Sequence, residues 1–493
     1  MQNGKLKRLK QLHNYKEEKG ITLLVLVITI IIIIILATIT MNLALGDGGL
    51  LGQAEDIRDM AENSTQTEEE KRNSLAGELA DLIPFQPQET PEPETGGQEF
   101  EMSYGVIEIK WLQGTTNNVS DVPNEPRTKQ ISNGTMELVR FDEASQEWIP
   151  GREYSYVAGT GTEDNNQSKW ANARVTIDGV DSYFVWIPRY AYRIVYFKDE
   201  ASKNEYKNGT ITEAQAIEEG KLVGYSDSRG IVTAEGKRVD SVTSASNTTH
   251  TMVSEDYFMP HPAFLDGTDN GFENGEWDRE LAGLWIGKYE AAKSGNTMKV
   301  QAGVSPSYMT KIGDKYDMGI TYSAELESHM LKNSEWGVVA YLTESTYGRN
   351  GTELDLYDNI YTTGGGSDNA YLNNKKASST GNEYGIYDLA GCTGEYLASY
   401  AKGNVLKEEY VEYGSSFASL DRKSDKYVTV YEADQPTKTM AFYKYGDAIY
   451  ETSGWHSDNT MVGLYNYPYL TRGGNGTYTG TGIFQCGTFY RPK

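Results

Sequence analysis

Two cysteines and five histidines are the residues of this 493-residue chain with the widest chemical repertoire. Cys392 and Cys486 lie far apart and belong to no Cys-x-x-Cys pair, so neither a zinc site nor a disulfide scaffold is spelled out. They read as two small buried thiols or, in an oxidising compartment, as one disulfide. His13, His250, His261, His329 and His456 are dispersed, with no pair at metal-ligand spacing and no Ser-His-Asp pattern. With 70 Asp and Glu, no acid–base pair stands out by spacing alone. The loop Asp266-Gly267-Thr268-Asp269-Asn270 offers the oxygen ligands that calcium takes, but no Glu closes it as in an EF-hand. It reads as a solvated turn. No catalytic residue, metal ligand or cofactor is therefore expected.

Recognition chemistry is better represented. The stretch 454–490 holds Trp455, His456, Asn459, Tyr465, Asn466, Tyr467, Tyr469, Asn475, Tyr478, Phe484, Gln485 and Phe489 among Gly, Ser and Thr. Tyr beside Ser, Gly and Asn is paratope chemistry, combining rigid amphipathic area with adaptable hydrogen bonding. These residues are expected to form a ligand-binding face for an extracellular protein or glycan. Ordinary aromatic strand residues are the alternative. The formal charge of -25 repels phosphate backbones, so no nucleic-acid partner is expected.

The elements that would display such a face begin with a membrane segment. Residues 21–45 carry no charge and are mostly Ile, Leu and Val. At about 1.5 Å per residue such a helix crosses the roughly 30 Å hydrocarbon core. Lys and Arg crowd residues 1–20 while Asp and Glu follow, so the N-terminus is expected in the cytoplasm and the remainder outside. That makes a single-pass protein of the cell membrane with the lipid bilayer as partner. Residues 46–83 read as a helical stalk and 84–100 as an extended Pro/Glu linker. A β-rich spacer over 101–180 and a larger α+β domain over 181–493 come next.

Within that region Gly105 to Trp111 alternates as a half-buried strand, and Ser182 to Pro188 and Ala191 to Phe197 read as strands. Residues 212–220 predict a helix with Thr212 as cap and Gly220 as stop, and Ala324 to Leu342 predict another. Residues 236–250 and 265–280 read as loops.

Two resemblances sharpen this picture. Lys19-Gly20-Ile21-Thr22-Leu23-Leu24 resembles a type IV prepilin leader. The resemblance implies a prepilin peptidase that cuts between Gly20 and Ile21. Val25 stands where pilins carry Glu, so a single-pass anchor is expected ahead of a minor pilin or pseudopilin.

Four later segments resemble the formylglycine-generating (sulfatase-modifying) family. They are Leu284-Trp285-Ile286-Gly287-Lys288-Tyr289-Glu290, Asn333-Ser334-Glu335-Trp336-Gly337, Asn382 to Gly391, and Arg472-Gly473-Gly474. The resemblance implies a C-type-lectin-like fold over 181–493. By their size Trp285, Trp336 and Tyr387 are expected to anchor a loop-rich core, and Glu395 to accept backbone hydrogen bonds rather than do chemistry. Catalytic members use a thiol pair and copper after the RGG turn; here that stretch holds Cys486 alone. A non-catalytic binding head is therefore expected, with a degenerate enzyme as the alternative. Related lectin-fold proteins are diversified by retroelements in their C-terminal region, which would make 454–490 the varied face. Family members usually close the sheet with a Gly-Phe-Arg strand; this chain carries Phe489-Tyr490-Arg491, and an open sheet edge is expected there.

Overall fold

The computed structural model describes residues 104–488 except 160–166, 228–229, 234–256, 269–272, 296, 307–310, 357–361, 366–369, 403–416, 419–421, 433–443, 450, 453, 459, 462–468 and 475–481. The chain divides into two compact units, 1–96 and 97–493, and the described residues all belong to the second. The leader with Gly20 and Ile21, the apolar segment 21–45, the stalk 46–83, the linker 84–100 and the loop 236–250 lie outside the described residues. Among those described, no helix is long and apolar enough to cross a membrane.

The described part is α+β. In chain order its strands are β1 (Gly105–Leu112), β2 (Val119–Ser120), β3 (Gly134–Asp142), β4 (Glu147–Pro150), β5 (Asn172–Ile177) and β6 (Val180–Pro188). There follow β7 (Tyr190–Phe197), β8 (Leu222–Asp227), β9 (Gly230–Thr233), β10 (Met259–Pro260), β11 (Gly283–Gly287), β12 (Ala291–Ser294) and β13 (Thr297–Val300). The last five are β14 (Glu395–Lys402), β15 (Thr429–Glu432), β16 (Thr460–Met461), β17 (Tyr469–Arg472) and β18 (Cys486–Thr488). Helices are α1 (Glu200–Lys207), α2 (Glu213–Glu218), α3 (Ile312–Tyr322), α4 (Asn333–Glu344) and the single turn α5 (Ala370–Asn373).

Among the described residues four sheets result. The first runs β2-β1-β7-β8-β9 with β10 also on β7, the second β11-β6-β5-β3-β4, the third pairs β12 with β13, and the fourth runs β15-β14-β17-β18-β16. The strands of 101–180 are shared between the first two: β1 pairs with β7, and β5 with β6. They are integral to the head rather than a separate spacer. Alternation explains β1, where Ile107 and Trp111 are buried and Glu108 and Lys110 are half-buried. β7 is buried along its whole length because both its faces are covered: Tyr190, Tyr192, Ile194 and Tyr196 pack into one apolar cluster and Val195 and Phe197 into another.

The α2 cap is as expected: the Thr212 hydroxyl accepts from the Gln215 N–H, and the Gln215 side chain accepts from the Thr212 N–H. The long helix expected over 324–342 is corrected to α4, which starts only at Asn333. Residues before it are held off the helix by remote partners. Glu327 sits at φ +53° and pairs with Lys129, Arg279 and Lys426. Every residue of α4 is buried, as befits a helix at the centre of a core. Trp336, Val338, Val339 and Leu342 join Trp111, Ile187, Tyr190, Ile286, Leu389 and Phe484 in the largest apolar cluster. A Cβ on Gly337 would fall 1.7 Å from the Gly446 carbonyl, so α4 touches a loop backbone to backbone there.

Candidate functional site

The four motif segments converge on each other. The Tyr387 N–H donates to the Lys288 carbonyl at 2.9 Å, and the buried Lys288 ammonium donates to the carbonyls of Glu383 (2.6 Å) and Gly385 (2.9 Å). Trp336 donates its indole N–H to the Ile483 carbonyl at 2.9 Å, beneath the Arg472 guanidinium 5.6 Å from its ring. A Cβ on Gly473 would lie 3.0 Å from the Leu389 carbonyl and 3.2 Å from the Trp336 ring. Gly473 also has φ +74°, so two constraints select glycine there.

A groove of about 570 Å³ opens beside this junction. All five residues of β11 line it, facing α3, the segment 326–331 and the start of β14. Its aromatic floor is a cross-strand pair: Trp285 of β11 lies directly opposite Trp186 of β6, with ring centroids 5.2 Å apart. Both indole N–H groups are satisfied, by the carbonyls of Arg127 (2.7 Å) and Asn124 (3.0 Å) respectively. Trp186 is buried while Trp285 is half-buried. Gly283 makes room for the Trp186 ring, which a Cβ there would meet at 2.4 Å. On the opposite wall, α3 approaches closely because a Cβ on Gly319 would meet the Met330 N at 2.7 Å.

Charge is arranged at both ends of β11. Past Gly287 stand Glu290 and, from β14, Glu395, both lining the groove with Lys315. Glu290 accepts from the N–H (2.9 Å) and hydroxyl (2.6 Å) of Thr393. Burial, reinforced by the neighbouring Asp388 carboxylate, pushes Glu290 above the usual carboxylate range. Burial also pushes Glu395 well up, and Glu290 and Asp388 add to it against the opposing Lys315 charge. Asp388 is likewise raised by burial, although the Gly364 and Gly365 N–H groups that it accepts oppose the shift. Before Gly283, Arg279 pairs with Glu327. Close by, His329 bonds Glu335 at 3.0 Å. Burial alone would raise Glu335, but His329 and Lys332 outweigh it and hold the group at about 2.

The residues singled out over 454–490 fare differently. Asn459, Tyr465, Asn466, Tyr467, Asn475, Tyr478 and Phe489 lie outside the described residues. Trp455, Tyr469, Phe484 and Gln485 are buried, which corrects their assignment to a contact face. Trp455 packs edge-on against Phe484 with centroids 5.4 Å apart and occupies the space a Cβ on Gly105 would need. His456 is largely buried and pairs with Glu344 at 3.1 Å. Cys392 and Cys486 are free and buried. Burial pushes both thiols up, away from the thiolate form that nucleophilic or redox work requires.

The chain matches no protein-family model and no curated protein.

Sequence reasoning missed Trp186 and Glu290 as groove residues, and treated Trp285 and Glu395 as scaffold. The available signal was Gly283-Leu284-Trp285-Ile286-Gly287, a strand bounded by glycines where another backbone can approach closely.

Proposed function

We propose that the chain is a membrane-anchored, surface-displayed binding protein whose head takes its ligand in the groove beside β11. One observation carries the reading: a 570 Å³ concavity with a half-buried Trp285 on its floor and carboxylates at one end. Ligand sites are mostly apolar clefts with a few convergent polar groups, and this groove has that make-up. The apolar segment 21–45 and its flanking charges support a single-pass anchor with the head outside. The interlocking of the four motif segments supports a lectin-like head of the sulfatase-modifying kind. Two buried, protonated thiols support a binding rather than a thiol-redox role.

The test is an array of glycans and extracellular proteins probed with the full-length protein and its Trp285→Ala variant. Losing a central aromatic anchor is expected to weaken the specific hits by roughly tenfold or more. Hits that Trp285→Ala and Glu395→Gln both leave unchanged would place the ligand elsewhere and overturn the assignment.

A further inference from the structure

We infer that the groove receives an extended, basic and apolar peptide segment of a partner protein, which adds to the second sheet as a new strand alongside β11. The inference rests on the groove being the ligand site and goes on to say what the ligand is. Among the described residues β11 pairs only with β6, so it is an edge strand.

The hydrogen-bond parity shows which of its groups are turned outward. Lys288 N–H donates to the Tyr183 carbonyl at 3.0 Å, and Arg189 N–H to the Ala282 carbonyl at 2.9 Å. Both pairs continue the β11–β6 register. Hydrogen-bonded positions of an antiparallel ladder recur every second residue, so Leu284 and Ile286 face β6. Gly283, Trp285 and Gly287 therefore direct their N–H and C=O groups outward, along the strand that lines the groove. Trp186 agrees with this, since its N–H donates away from β11 to the Ala171 carbonyl at 2.8 Å.

Exposed edges are normally blunted by Lys, Pro or a bulge, and Gly-Leu-Trp-Ile-Gly has none of these. Gly287 is informative for a second reason. The nearest atom to a Cβ there would be 3.4 Å away, an ordinary contact, so packing inside the head does not demand glycine. Close approach of a second backbone does.

The side-chain surroundings define the guest. Trp285 and the adaptable Met136, Met298 and Met318 line the groove and favour apolar residues. Beyond Gly287 the buried Glu290 and Glu395 repel each other with Lys315 opposing them, so a basic guest residue at that end would relieve the repulsion and favour their charged forms. Main-chain bonds give such strand addition its affinity, and alternate side chains its specificity.

The probe is a fluorescein-labelled heptapeptide of alternating valine and lysine, titrated by anisotropy against the detergent-solubilised full chain. Two versions carry N-methyl groups on alternate residues, one set for each edge of the peptide. One methylated set is expected to bind about tenfold more weakly or worse and the other to bind like the parent. Gly287→Pro removes an outward N–H without touching the ladder to β6, and is expected to abolish peptide binding while the melting temperature stays close to that of the parent. Glu395→Gln is expected to weaken binding. Equal effects of the two methylated sets, or no peptide binding at about 1 mM, would overturn strand addition. If a glycan from the array still binds and depends on Trp285, the groove stands and only the peptide inference fails. If every hit ignores Trp285, the groove assignment itself fails.

Discussion

Trp336 and Trp285 belong to neighbouring motif segments but have opposite roles, and truncating each to alanine separates them. Trp336 is fully buried, donates to the Ile483 carbonyl at 2.9 Å and lies under Arg472. Removing a fully buried Trp costs about 3–5 kcal/mol. Orphaning a buried carbonyl adds about 1–3 kcal/mol, so the loss falls at or above the top of that range. Trp285 is half-buried; its truncation forfeits the contact with Trp186, about 0.5–1.5 kcal/mol, and one hydrogen bond to Arg127 of about 1 kcal/mol. A domain is typically stable by about 5–15 kcal/mol, so Trp336→Ala consumes a large share of the margin while Trp285→Ala does not. Urea unfolding followed by far-UV circular dichroism reads both losses without relying on indole fluorescence. Equal losses, or a larger one for Trp285→Ala, would refute the division between core anchor and groove floor.

Four further outcomes are expected. Gly337→Ala drives a methyl into the Gly446 carbonyl and should cost about 1–3 kcal/mol or more by the same assay. Glu335 titrates at about 2 in the fold against an ordinary 4.5, so the stability it contributes is present above about 4.5 and lost as pH falls through about 2. Glu335→Gln should therefore destabilise at neutral pH by about 3–5 kcal/mol, with the gap from the parent closing between those values. His456 is pushed up to about 9 by Glu344, despite its burial, from an ordinary 6.5. Its stabilisation is present below about 6.5 and lost as pH rises through about 9, a slope that Glu344→Gln should flatten in thermal melts. Finally, a thiol reagent should label neither Cys392 nor Cys486 in the folded protein and both in urea.

What the sequence revealed was local. The alternation of Gly105 to Trp111 and the Thr212 cap followed by Gly220 are short-range signals, and both elements form where they are expected. The helix over 324–342 failed at its start because Glu327 is claimed by Lys129, Arg279 and Lys426, partners that no local window contains. Aromatic density over 454–490 is a matter of composition, which does not say which side of a surface a ring lies on. Trp455 and Phe484 went inside and pack on each other, with Gly105 leaving space for Trp455. The groove was less legible still. It depends on pairing Trp285 with a residue almost a hundred positions earlier, and on β11 being the last strand of its sheet. Only the flanking Gly283 and Gly287 hinted at it.

Amide hydrogen exchange, resolved to single residues in the full-length chain with and without a saturating array hit, bears most directly on the groove as the binding site. The N–H groups of Gly283, Trp285 and Gly287 should exchange rapidly in the free protein and become protected on binding, while those of Leu284 and Ile286 stay protected throughout. An absence of any change on binding, at these or any other groove-lining amides, would contradict it.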